Sequence, residues 1–223
     1  MTLLRMDEIT KVFPGVRAND RVSFDLQDGE VHALVGENGA GKTTLMKILY
    51  GLQRPDSGTI FLRGEAAAIR GPRDAIARGI GMVHQHFMLV PPFSVLDNIV
   101  LGEEDHRFGV LNMERPARRI EEIMLRNGLP VDLTMRVEDL PVGLQQRVEI
   151  LKILFRGAEI LVFDEPTAVL TPREVEELFK TFRAMTAQGK GIIFISHKLD
   201  EVLEIADRIT VIRRGQVIRT LAR

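Results

Sequence analysis

Apolar and polar positions along the chain follow two rhythms. Val22, Phe24 and Leu26 alternate with Ser23 and Asp25, the period-two pattern of a half-buried strand. Val31, Ala33, Leu34 and Val35 make a denser apolar run that reads as a buried strand, and Leu45, Met46, Ile48 and Leu49 follow at helical spacing. Ahead of them, short alternating segments are punctuated by Pro14-Gly15 and Asn19-Asp20, which read as turns. Asp28-Gly29 reads as the turn of a hairpin joining the Phe24 strand to the Val31 strand. Residues 59–62 and 80–83 read as strands and residues 73–78 as a short helix.

The rhythm then turns helical over residues 88–156. Ser94, with Asp97 three positions on, is a helix-start signal. Residues 116–127 carry Ile120, Ile123 and Met124 on one face and stop at Asn127-Gly128, and residues 143–156 place Leu144, Val148, Leu151 and Phe155 at helical spacing. Strand patterns return at residues 159–163 and 192–196, each followed by a helical stretch, and residues 208–221 read as a hairpin around Arg214-Gly215. Strands alternating with helices predict an α/β fold with a largely parallel sheet, whose ligands gather at the carboxyl ends of the strands. The length, 223 residues, suits one large domain or one domain with an inserted subdomain.

Composition narrows the function. A net charge of -1 gives no global attraction to nucleic acid. No apolar run approaches the ~20 residues needed to cross a bilayer, and the opening residues lack the pattern of a secretory signal. With 0 cysteines there are no disulfides or thiolate metal sites, which fits a cytoplasmic address.

The candidate chemistry centres on Gly36, Glu37, Asn38, Gly39, Ala40, Gly41, Lys42, Thr43 and Thr44, placed between the buried strand and the helix. Glycines let the backbone turn tightly so that successive N–H groups surround phosphate oxygens at a helix start. Lys42 falls where an ammonium reaches the β- and γ-phosphates, and Thr43 supplies a hydroxyl for Mg2+. The plain alternative is a glycine-rich turn before an ordinary helix, which the strand–loop–helix setting disfavours. Asp164 and Glu165 close a later apolar strand: Asp164 suits a Mg2+ ion held through water opposite Thr43, and Glu165 suits the base that orients and deprotonates an attacking water. His197, after the next strand, can donate to a γ-phosphate. Gln85 stands at a strand end where a γ-phosphate and Mg2+ sensor could sit, while His84 and His86 lack partners at metal-ligand spacing and read as surface residues. For Phe13, stacking on adenine competes with core packing, and spacing alone favours packing.

In order and spacing these elements resemble an ATP-binding-cassette nucleotide-binding domain. The resemblance extends from residues 36–44 through Gln85 to a signature at residues 140–147, whose Leu140, Pro141, Val142, Gly143, Leu144 and Gln145 are its nucleotide-binding part, then to residues 160–165, a D-loop at residues 168–171 and a switch at His197. It implies a P-loop NTPase core of the ABC type with an antiparallel β subdomain and an inserted helical subdomain: core and β subdomain in residues 1–87 and 157–223, helical insert in residues 88–156. It also implies adenine stacking by Phe13 and Mg2+ and interface contacts by Gln85. ATP and Mg2+ are the implied cofactors. The implied partners are a second cassette closing head to tail, membrane permease subunits and, indirectly, an extracytoplasmic solute-binding protein, with no nucleic acid. The implied place is the inner face of the cell membrane. A finer similarity, in residues 84–91, 140–152 and 164–174, is to the N-terminal half of tandem ATPases that drive uptake of simple sugars and nucleosides, so the chain is expected to be a fragment of such a protein.

Two motifs depart from the family pattern. The signature has Pro141 and Val142 in place of its usual serine and first glycine, and the D-loop has Thr171 in place of its aspartate. Other readings are a soluble cassette acting on ribosomes or DNA and a regulator that binds ATP without hydrolysing it. The DNA-repair type inserts long coiled coils between the two Walker motifs, and the 128 positions from Gly36 to Asp164 leave no room for them. Glu165 and His197 argue against the regulator.

Overall fold

A computed structural model describes residues 1–85, 87–103, 106–107, 110–111 and 113–222. The chain opens with a long hairpin, β1 (Thr2–Phe13) and β2 (Val16–Gln27), then β3 (Val31–Val35) and α1 (Lys42–Leu49). β4 (Ser57–Leu62), β5 (Glu65–Ala66), α2 (Pro72–Ala77) and β6 (Ile80–Val83) precede the helical stretch. That stretch holds α3 (Val95–Val100), two short strands β7 (His106–Arg107) and β8 (Val110–Leu111), α4 (Glu114–Asn127) and α5 (Val142–Phe155). β9 (Ile160–Asp164), α6 (Pro172–Thr186), β10 (Gly191–Ile195), α7 (Leu199–Ile205), β11 (Arg208–Arg213) and β12 (Gln216–Ala222) complete it.

Two sheets do most of the positioning. One is antiparallel, in the order β2-β1-β4-β5. The other runs β12-β11-β3-β10-β9-β6 and is parallel apart from its last hairpin. Strands β3, β6, β9 and β10 are buried throughout and read as near-continuous apolar runs because both their faces are covered. Ala33, Phe163 and Phe194 point to one apolar cluster with α5 and α6, while Leu34, Val162 and Ile193 point to the other with α1, β1 and β2. In the first cluster Phe163 and Phe182 lie 4.5 Å apart, both with 0% of their surface exposed.

The helix ends obey local chemistry. The Ser94 hydroxyl accepts from the Asp97 N–H at the start of α3, and Gly128 ends α4 in the left-handed conformation at φ 65. Thr171 and Glu174 form a reciprocal capping box at the start of α6, each side chain accepting from the other residue's N–H.

Two expectations need correction. Asp28-Gly29 does not close a hairpin: β2 pairs with β1 in the antiparallel sheet, whereas β3 pairs with β10 and β11. The turn passes the chain from one sheet to the other. Nor is Asn19-Asp20 a turn, since both lie within β2. A bulge explains the lost alternation: Arg21 sits at φ 47, the register shifts nearby, and the buried positions step from Asn19 to Val22.

Candidate active site

Four parallel strands deliver the candidate residues. β3 runs into the glycine-rich loop, β9 ends at Asp164, β10 ends two residues before His197, and β6 ends two residues before Gln85. The register aligns these ends, pairing Val83 with Phe163 and Ile195 with Asp164.

The loop's glycines are dictated by close approach. A Cβ on Gly36 would lie 2.2 Å from the Ile212 carbonyl oxygen, and one on Gly41 would lie 2.1 Å from that of Ala18. Gly41 also stands at φ 104 as the N-cap of α1. Nothing caps this helix from a side chain and its first turn holds no acidic residue. Its leading N–H groups and the positive end of its dipole thus face the loop, as an anion site requires. The loop is also braced from behind. The fully buried Asn19 donates from Nδ2 to the Gly41 carbonyl at 3.2 Å, and the Gly215 N–H donates to the Ala40 carbonyl at 3.0 Å.

Lys42 is only 5% exposed and donates from Nζ to the carbonyls of Gly36 at 2.6 Å and Glu37 at 3.0 Å. An ammonium carries three protons, so one remains for an anion. Burial lowers its pKa, and the charges of Glu165 and Asp164 oppose that shift. Asp164 is buried and its carboxyl is raised above the ordinary range, first by desolvation and then by neighbouring Glu165. Thr43 donates a hydrogen bond to it and, with Lys42 and His84, pulls the other way.

Glu165 adopts φ 50, an unusual conformation for a residue with a side chain. Such a conformation costs about 1–3 kcal/mol and persists where the surroundings enforce it. Its N–H donates to the Ile195 carbonyl at 3.0 Å, and its Oε1 lies 3.2 Å from Nδ1 of His197. A carboxylate and an imidazole therefore meet beside the Lys42–Thr43–Asp164 cluster.

The other predicted residues lie around or away from this point. Gln85 is exposed at the end of β6, and the segment after it is tied to α5: the Met88 N–H donates to Glu149 Oε1 at 2.6 Å, and Lys152 Nζ donates to the Met88 carbonyl at 3.0 Å. Phe13 ends β1 half-buried, outside both apolar clusters, with Lys11 Nζ 5.6 Å from its ring centre. Its hairpin meets the phosphate loop through Ala18 and Asn19. Leu140 is buried in the helical cluster, whereas residues 141–145 enter and open α5. Gln145 Nε2 donates to the Leu140 carbonyl at 2.9 Å, and a Cβ on Gly143 would lie 2.2 Å from Glu174 Oε1 of α6. His84 is no simple surface residue, because it is half-buried with its ring edge-on to Tyr50 at 5.9 Å and burial lowers its pKa. His86 lies outside the described residues.

Several residues brace the site through contacts that no sequence motif assigns to them. Gln146 donates to the Pro166 carbonyl at 2.9 Å, just after Glu165, and Thr167, Lys198 and Glu201 form a cluster on the same loop. The Gln146–Pro166, Lys198–Thr167 and Thr167–Glu201 bonds span 20 to 34 positions, so no local pattern announces them. The Thr171–Glu174 pair did carry a signal, the spacing of a capping box.

A bound nucleotide and its cation fit these residues. The loop offers N–H groups and an ammonium to phosphates, and Thr43 with the buried Asp164 offers hard oxygen donors. Among the described residues no three His, Cys, Asp or Glu gather as a protein-only metal cage. Among the described residues no helix is long and apolar enough to cross a membrane.

Known proteins agree with this geometry. The sequence pattern of the ABC transporter family matches residues 19–168. The chain is 51% identical over 220 residues to the nucleoside import ATP-binding protein NupA of Lactococcus lactis subsp. cremoris (strain MG1363), an alignment covering 99% of this chain and 44% of that protein. It is 51% identical over 219 residues to the guanosine import ATP-binding protein NupO of Bacillus subtilis (strain 168), covering 98% of this chain and 43% of that one. The chain thus spans under half the length of these two relatives. Among solved structures, the ADP conformation of MJ1267, an ATP-binding cassette of an ABC transporter, superposes with a TM-score of 0.90 at 26% identity, covering 100% of this chain and 92% of that one. The chain belongs to the ABC transporter family and has the fold of its ATP-binding cassettes.

Proposed function

We propose that this chain binds and hydrolyses ATP to power an importer of a nucleoside or a simple sugar, as the N-terminal half of a tandem protein. The contact between Glu165 Oε1 and His197 Nδ1 at 3.2 Å carries the hydrolytic part of this reading. Glu165 takes a proton from the attacking water, and His197 keeps its carboxylate oriented from Nδ1. Lys42 and the N–H groups at the start of α1 neutralise charge on the phosphates. Thr43 and Asp164, with Gln85 two residues past the end of β6, would hold Mg2+, which would supply charge neutralisation at the phosphates. Phe13 stacks on adenine, a role favoured by its position outside both apolar clusters.

The proposed organisation assigns residues 1–87 and 157–223 to the nucleotide-binding core with its β subdomain and residues 88–156 to the helical insert. A second cassette closes over the nucleotide, presenting its signature to this phosphate loop while residues 140–145 of this chain face the partner's ATP. Closure pulls on permease subunits from the cytoplasmic face of the membrane, and an extracytoplasmic solute-binding protein delivers the solute. Nucleoside or sugar uptake is supported by the relatives, which include ribose as well as guanosine import ATP-binding proteins. Calorimetric ATP binding to wild type and Lys42→Ala tests the site: the substitution should abolish tight binding, and unchanged affinity would remove the loop from the account.

A further inference from the structure

The loop after β9 carries the candidate base and is held by side chains outside the ATP-binding segments. Thr167, 2% exposed, donates from Oγ1 to Glu201 Oε2 at 2.5 Å. Lys198 donates from Nζ to the Thr167 carbonyl at 3.1 Å and to Glu201 Oε1 at 2.9 Å. Glu201, in the first turn of α7, thereby uses one oxygen on the base-bearing loop and the other on the lysine next to His197. From the opposite side, Gln146 of α5 fixes the Pro166 carbonyl.

This arrangement addresses a specific mechanical need. Glu165 is held at φ 50, and its loop continues directly into Pro166 and Thr167. A residue in that conformation relaxes toward ordinary backbone angles unless its neighbours forbid it. Two residues downstream, the Glu201–Thr167 bond forbids that movement. Lys198 joins the same carboxylate to the switch segment, so Glu165 and His197 are held in one frame.

We infer that Glu201 is a positioning residue for ATP hydrolysis, acting through Thr167 and Lys198 to hold Glu165 against His197. The inference rests on the reading of Glu165 as the base. None of the Glu201 contacts reaches the phosphate loop, so its loss acts on turnover and spares nucleotide affinity.

The test measures steady-state ATP turnover and ATP affinity of the full-length transporter ATPase with its permease, for wild type, Glu165→Gln, Glu201→Ala, Glu201→Gln and Thr167→Val. Glu201→Ala should lower kcat by about tenfold or more with KM for ATP within about twofold. Glu201→Gln still accepts from Thr167 and should recover most of the rate. Thr167→Val, which keeps the side chain's shape should Glu201→Ala fail to fold, should reproduce the loss, and the Thr167→Val/Glu201→Ala pair should be no worse than either alone. A normal kcat in folded Thr167→Val and Glu201→Ala, or a rise in KM that accounts for the loss, overturns the positioning role. Full turnover by Glu165→Gln overturns the underlying reading of the base instead.

Discussion

Glu165 and His197 meet across the carboxyl ends of neighbouring strands, Oε1 to Nδ1 at 3.2 Å, although they stand 32 positions apart in the chain. The parallel pairing of β9 with β10 sets their height, and the hydrogen bond from the Glu165 N–H to the Ile195 carbonyl sets the direction in which the loop leaves the sheet. Glu165 is largely shielded while His197 is more than half exposed, so the carboxylate is sheltered and the imidazole remains open to a ligand.

Phe13 tests the adenine assignment. It is half-buried and belongs to neither apolar cluster. Phe13→Ala should leave the fold intact and weaken ATP binding by about 1–3 kcal/mol, the scale of base–aromatic stacking. Calorimetry beside a melting curve reads both quantities. Lost stability with no separable binding defect would return the ring to a packing role.

The two ATP sites of a closed pair should be unequal. Pro141 has no hydroxyl for a γ-phosphate, and its carbonyl accepts from the Leu144 N–H at 2.9 Å and the Gln145 N–H at 3.0 Å. That leaves Val142 and Gly143 to offer N–H groups ahead of the first helical bonds, and the Glu174 carboxylate already lies against Gly143. A lost hydrogen bond to a charged group is worth about 1.5–3 kcal/mol, enough for a tenfold slower site. Inactivating each site separately in the full-length protein should stop turnover only when the site built on this phosphate loop is lost. Equal losses would contradict the asymmetry, and a Pro141→Ser change without effect on the second site would remove its proposed cause.

What the sequence disclosed follows from how local each signal is. Gly36 to Thr44, the acidic end of β9 and the helix start at Ser94 were legible because glycine geometry, strand ends and caps are set within a few residues. The β2–β3 connection was misread because Asp28-Gly29 signals a turn without saying which sheet receives the next strand. Asn19 was taken for a turn residue because a polar pair in a strand resembles one, while its actual partner, the Gly41 carbonyl, lies 22 positions away. Thr171 counted as a departure from a motif and proves to be half of a capping box. The departures of Pro141 and Val142 remain departures, since α5 begins there without a side-chain cap.

Asp164 exchanges stability for chemistry. Desolvation, and next the charge of Glu165, raises its carboxyl pKa, so the folded chain holds that proton more tightly than the unfolded chain does. The associated stability is fully present below the ordinary carboxylate range and is lost as pH rises through the raised value. At neutral pH the ionised carboxylate is a liability that Asp164→Asn removes. In the absence of nucleotide and cation, that variant should melt at a higher Tm than wild type near pH 7, and the difference should shrink toward pH 4. A lower Tm at pH 7 would mean the charged form is favoured by the fold.

The most direct measurement of the central claim is a paired one on Glu165→Gln: equilibrium ATP affinity and single-turnover hydrolysis, each against wild type in the full-length transporter. The substitution keeps the shape of the side chain and removes the proton acceptor. ATP affinity should stay within about twofold, and the rate should fall by at least about 10²-fold, the low end of what general-base catalysis contributes. The transporter should then accumulate in a closed, ATP-loaded state. Hydrolysis at the wild-type rate with unchanged affinity would show that another group activates the water.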